Sequence, residues 1–193
     1  MANREPYNLK KLIIAYDLFM SLTNLYWFYE SFNLIESFRL FLIVDFPTDR
    51  SSNYKTRETI ALGYLYLLSK FMDWFDSIFF GLRKKFMHLS VLHVYHHMSV
   101  PFFGWLNIKM CPFLPGLRLF LLMNSFIHFL MYLYYFLSSF GPRIQKYLWW
   151  KRYITQLQIG QFIILGVYAI ILMFFQTGYP RIWIVLGVPQ PSS

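Results

Sequence analysis

The side chains best suited to chemistry fall in a few short stretches of this chain, at helical intervals. All five histidines lie between residues 88 and 128. His93, His96 and His97 read His-x-x-His-His, and positions i, i+3 and i+4 share one face of a helix. Lys70, Asp73 and Asp76 precede them at intervals of three. Asn124, His128, Met131, Tyr132 and Tyr135 share a face at about 100° per residue, and Thr155, Gln158 and Gln161 form a third polar stripe. Imidazoles grouped in this way serve as nucleophiles and proton carriers, or as metal ligands. The residue types alone leave both chemistries open.

The elements that must position these groups follow from composition. Hydrophobic residues make up 57% of the 193 and aromatics 22%, with only 14% charged. Globular chains carry about 25% charged residues, so too little polar surface is present to wet a globule of this size. The aromatic content excludes disorder, and the single Cys111 excludes a disulfide scaffold. The expected architecture is all-α: a polytopic transmembrane helical bundle, forming one integral-membrane domain over residues 1–193. Five stretches approach or exceed the about 20 residues a spanning helix needs, near 12–29, 59–82, 89–108, 113–140 and 153–175. The run from Ile182 to Val188 is too short to span. The first span is expected to act as an uncleaved anchor, with Asp17 in a structural role.

Ionisable groups at membrane depth are costly and usually face a bundle interior or a cavity. A lone histidine or glutamine there can simply bridge helices, and tyrosines often serve as packing or interfacial groups. The concentration of histidines and internal charges favours a functional cavity. For the Thr155–Gln161 stripe, bridging and function are both open, and a structural Lys70–Asp73 ion pair is the plain alternative to a catalytic one.

Lys and Arg set the orientation. The N-terminus and the connections after the second and fourth spans hold ten basic residues and one acid, Glu5. The opposite side holds seven basic residues and five acids. The basic, acid-poor side is expected to be cytosolic, with the 31–58 loop lumenal. That assignment places Cys111, in its short connection, on the lumenal side. Nucleic acid is a poor partner, because the basic residues are spread along membrane edges.

Four motifs in order, each on its own span, resemble those of the fatty acid elongase (ELO) family. Lys70-x-x-Asp73-x-x-Asp76-Ser77 is similar to Lys-x-x-Glu-x-x-Asp-Thr. His93-Val94-Tyr95-His96-His97 matches the histidine box. Asn124, His128, Met131, Tyr132, Tyr134 and Tyr135 match Asn-x-x-x-His-x-x-Met-Tyr-x-Tyr-Tyr, and Thr155, Gln158, Gln161 and Phe162 match Thr-x-x-Gln-x-x-Gln-Phe. The resemblance runs from about Asn3 to Gly178 and looks nearest to the animal very-long-chain branch. Asp73 stands where the family has Glu, Ser77 where it has Thr, and His88 where those branches have Gln. The family has seven spans, so the expectation is that a first and a last span are missing here and that the chain expressed alone is weak or inactive.

The resemblance implies a 3-ketoacyl-CoA synthase of the endoplasmic reticulum membrane. Its substrates would be a long- or very-long-chain acyl-CoA and malonyl-CoA, with no further cofactor and no metal. An imidazole of ordinary pKa, about 6.5, is mostly neutral at pH 7 and attacks thioesters, and an acyl-imidazole divides the condensation into two easier steps. The implied acyl carrier is His96, flanked by His93 and His97. His128 would act as acid/base or oxyanion donor, and Asn124 would donate to the enolate oxygen. Asp73 and Asp76 would orient ring nitrogens or pair with Lys70. Tyr132, Tyr135, Gln158 and Gln161 would line the substrate path. Lys84, Lys85, Lys151 and Arg152, with Arg83 and Lys146, offer charge for CoA phosphates or simply fix topology. Membrane lipid, a second copy of the chain and other elongation-cycle enzymes are the implied partners. Membrane desaturases and hydroxylases carry similar boxes but use about eight histidines by the same kind of resemblance, against five here; a non-catalytic elongase partner is the other alternative.

Overall fold

The computed structural model describes residues 7–33, 54–84, 91–110 and 115–175. Every regular element among them is helical: α1 (Lys10–Asn33), α2 (Tyr54–Met72), α3 (Trp74–Leu82), α4 (Val91–Met110), α5 (Pro115–Ser138), the single turn α6 (Pro142–Gln145) and α7 (Lys151–Phe175). This is the all-α class expected. Each of the five expected spans falls on a long helical stretch, with one difference. The second is two helices, α2 and α3, interrupted at Asp73. Nothing in local propensity marks that break, since no Gly or Pro stands there; partners on other helices sustain it, as shown below.

Consecutive long helices alternate in direction. On α1, Tyr16 meets Phe79 and Tyr132 while Trp27 meets Tyr66 and Phe28 meets Phe126, so α1 runs opposite to both α2–α3 and α5. Gly63 faces Ile108 and Gly104 faces Leu67, which makes α4 antiparallel to α2. Tyr134 packs on Trp150 and Gly116 on Tyr168, so α7 returns along α5. The turn between α5 and α7 uses Gly141 at φ 95°, a left-handed conformation that suits glycine, followed by Pro142 as the first residue of α6. This alternation brings the start of α1 and of α7 and the end of α3 and of α5 to one end of the bundle. Lys10, Lys11, Arg83, Lys84, Arg143, Lys146, Lys151 and Arg152 gather there. Tyr7 N–H donates to the Leu82 carbonyl at 3.3 Å and ties two of these termini together.

The bundle is polar within and apolar without. Lys70 is 3% exposed and Asp73 2%, whereas Leu68 is 60% exposed and Val167 51%. In water this pattern would be ruinous. In lipid, outward apolar side chains lose nothing, and inward polar groups find partners only in one another. Among the described residues, α1 packs extensively on α5. Ser21 Oγ donates to the Phe129 carbonyl at 3.4 Å, and the fully buried Ser125 Oγ bonds its own helix at Leu121 O, 2.6 Å away. Among the described residues, Gly116–Ser138 and Lys151–Ile171 are each long and apolar enough to cross a membrane. Buried polar groups lie on these and on the other helices alike: Asp17 and Asn24 on α1, Lys70 on α2, Asn124 and His128 on α5, Gln161 on α7.

Candidate active site

Three elements enclose a cavity lined by Lys70 and Asp73 of the α2–α3 stretch, His97, Val100 and Pro101 of α4, and Asn124 and His128 of α5. Its volume is about 10 Å³, close to the least that admits one water. At about 1.5 Å of rise per residue, His128 lies about 15 Å from Ser138 at the basic end of the bundle. The site therefore lies well inside the length of the helices, nearer the basic end than the other.

Asp73 is the hub. Its Oδ2 lies 3.5 Å from Lys70 Nζ and 3.9 Å from His128 Nδ1, and its Oδ1 accepts from the Tyr132 hydroxyl at 3.1 Å. The same hydroxyl lies 2.7 Å from Asp76 Oδ2, so Tyr132, wholly buried, bridges both carboxylates. Lys70 Nζ also donates to Asn24 Oδ1 at 3.4 Å and sits 4.9 Å over the Tyr66 ring. Buried charges persist only when partners replace water, and these contacts supply them. Asn24 is held for this task by its own amide, which donates to the Met20 carbonyl at 2.8 Å and leaves Oδ1 for the ammonium. Asn124 Oδ1 accepts from Tyr66 OH at 2.7 Å. With its oxygen taken, the group Asn124 offers the cavity is its NH₂, a donor suited to developing negative charge.

Two irregular points in the backbone shape the cavity. Pro101 sits inside α4 and lacks the N–H that would bond the His97 carbonyl one turn earlier. Trp74 Nε1, from the first turn of α3, donates to that carbonyl at 2.7 Å instead. The second point is the break at Asp73. Around it Asp73 and Asp76 both reach Tyr132, while Lys70 and His128 meet Asp73.

The structure brings together Lys70, Asp73, Asp76, His97, Asn124, His128 and Tyr132. The backbone places His93 and His96 in the first two turns of α4, but their side chains lie outside the described residues, as do Lys85, His88 and Cys111. Tyr132, expected along the substrate path, is not on the cavity wall; it holds the carboxylates from behind. Tyr135 is 41% exposed. Gln158 reaches Met131 Sδ at 3.7 Å, and Gln161 is buried, but neither lines the cavity. Lys84 is half-buried at the end of α3, and Lys151 and Arg152 are exposed at the start of α7, where Arg152 stacks 4.8 Å over Tyr153. Among the described residues no group of three or more His, Cys, Asp or Glu is placed to hold a metal ion. Asn24, Tyr16 and Tyr66 escaped the sequence reading. Asn24 carried a signal, a polar residue in mid-span two turns from Tyr16 on the same face; the tyrosines carried none.

Residues 1–190 match the profile described as ELO: GNS1/SUR4 family. The chain belongs to this family. It is 38% identical over 189 residues to a very long chain fatty acid elongase of Aedes aegypti, covering 95% of this chain and 51% of the relative. It is 39% identical to very long chain fatty acid elongase 7 of Rattus norvegicus, covering 87% of this chain and 59% of the relative. Against very long chain fatty acid elongase 4 of Homo sapiens the identity is 38%, over 94% of this chain and 57% of the relative. The chain spans between about half and three-fifths of the length of these relatives. In this ELO chain the lysine–carboxylate motif and the Asn–His–Tyr motif meet around Asp73, while the glutamine stripe sits on α7, which packs against α5 outside the cavity.

Proposed function

We propose that these helices carry the condensing step of fatty acid elongation in the membrane of the endoplasmic reticulum, joining a long- or very-long-chain acyl-CoA to malonyl-CoA. The observation that supports this most is the convergence of His97, His128, Asn124, Lys70 and Asp73 on one small cavity. The basic end of the bundle, with Lys84, Lys151 and Arg152, suits CoA phosphates arriving from the cytosol, while the thioester passes inward.

In the first step a histidine of the box, assigned to His96, attacks the acyl thioester carbonyl. The carbon–sulfur bond breaks, CoA leaves as the thiol, and the imidazole proton goes to its sulfur. In the second step malonyl-CoA loses CO₂, and the enolate carbon attacks the acyl-imidazole. The carbon–nitrogen bond breaks, 3-oxoacyl-CoA leaves, and the imidazole regains one proton from solvent. In this reading the Asn124 NH₂ and His128 serve as donors to the enolate oxygen. Asp73, 3.9 Å from His128 Nδ1, is the charge partner of that ring, and Lys70 balances the carboxylate. Burial of these groups away from bulk water strengthens each of these contacts and disfavours hydrolysis of the acyl-enzyme.

The test is condensation of long-chain acyl-CoA with radiolabelled malonyl-CoA in microsomes of elongase-deficient yeast, with His93→Ala, His96→Ala, His97→Ala and His128→Ala compared at equal membrane abundance. His96→Ala and His128→Ala are expected to lose activity by 1,000-fold order, about what removal of a nucleophile or its acid/base partner costs. Undiminished condensation by His96→Ala together with loss in His97→Ala moves the acyl group to His97. Undiminished condensation by all four refutes the reading.

A further inference from the structure

We infer that Tyr16 of α1 is a positioning residue for the reaction proposed above, acting through the break at Asp73; its bearing on catalysis rests on that reading. In an unbroken helix the Asp76 N–H would bond the Met72 carbonyl. Here it bonds the Asp73 carbonyl at 3.3 Å, a tighter, i to i+3 turn. The Met72 carbonyl has lost its usual donor at membrane depth, where water is not at hand to replace it. Tyr16 Oη donates to it at 3.0 Å from another helix, 56 residues away in sequence. The hydroxyl is aimed by its ring, which is packed edge-on against Phe79 at 5.1 Å and against Tyr132 at 5.9 Å. One side chain therefore satisfies the carbonyl freed by the break and braces the tyrosine that bridges Asp73 and Asp76. Without the hydroxyl the stretch gains by closing into a regular helix. That would turn Asp76 and Asp73 away from the positions in which Tyr132, Lys70 and His128 now meet them.

The full chain, reconstituted in lipid nanodiscs, supplies the test, with Tyr16→Phe keeping the ring and losing only the hydroxyl. Hydrogen–deuterium exchange is measured at residues 73–77 and across α7, alongside kcat and KM for acyl-CoA. The expected result is exchange at 73–77 altered about tenfold with α7 unchanged, since only a local opening is affected. Turnover falls about tenfold with KM within twofold, as displacement of reacting groups by a fraction of an ångström predicts. Unchanged exchange at 73–77 overturns the clamp, and so does equal change throughout the bundle, which would mark Tyr16 as general packing. Changed exchange with unchanged kcat overturns its link to the reaction. If neither the unsubstituted chain nor a version extended by an apolar span at each end condenses anything, the functional reading is what fails, and the exchange measurement still decides the clamp.

Discussion

Replacing Tyr132 by Phe isolates the bridge at the centre of the site. The ring stays, so its contacts with Tyr16 and Tyr135 remain, and no cavity is opened beyond the volume of one oxygen. What disappears is a hydroxyl with one proton set 2.7 Å from Asp76 and 3.1 Å from Asp73. One proton serves one carboxylate at a time, so the loss is counted as one hydrogen bond to a charged or acidic group, about 1.5–3 kcal/mol. Spread over a bundle of this size, at about 2–4 °C per kcal/mol, it lowers the melting temperature by about 3–12 °C. If half to all of that energy also holds Asp73 toward His128 in the transition state, turnover falls by about 4- to 150-fold, at about 1.4 kcal/mol per factor of ten. The assay is thermal unfolding of the detergent-solubilised protein beside condensation in microsomes, with Tyr29→Phe, an exposed tyrosine on α1, as the control. A Tyr132→Phe protein that matches the parent in both melting and turnover would show that the bridge holds nothing, and would remove Asp73 from the centre of the mechanism.

The pairing of Trp74 with the carbonyl freed by Pro101 predicts an interaction between distant residues. Trp74→Phe should cut turnover several-fold by leaving the His97 carbonyl without a donor, and adding Pro101→Ala, which restores a backbone N–H to that carbonyl, should recover most of the loss. Additive losses in the double variant, measured as a mutant cycle in microsomes, would count against the pairing. For topology, the gathering of basic residues at one end predicts a lumenal 31–58 loop. The chain has no natural Asn-x-Ser/Thr site, so one inserted near Asp49 should be glycosylated in microsomes; modification of an N-terminal site instead inverts the orientation.

The sequence by itself determined the class of the fold and the composition of the site. Long apolar stretches can satisfy their backbone in lipid only as helices, so the long helical stretches were legible from hydropathy, and the helices alternate in direction as the basic bias suggested. Lys70, Asp73, Asn124 and His128 stood out because charge and amide groups are too costly at that depth to be there idly. What only the tertiary structure decided is which of them meet. Helical periodicity places Lys70, Asp73 and Asp76 on one continuous face, but the chain breaks at Asp73, and a break with no Gly or Pro has no local signature. It depends on Tyr16, which supplies a donor to Met72, and on Tyr132, which bridges two carboxylates from a helix 56 residues on. Likewise α1, expected as an anchor, holds Lys70 through Asn24, and of the polar stripe of α7 Gln158 reaches Met131 and Thr155 is exposed, none lining the cavity. Side-chain period fixes the face of each helix; rotation and depth of one helix against another follow from packing of residues far apart in sequence, and there the partners of each buried charge are chosen.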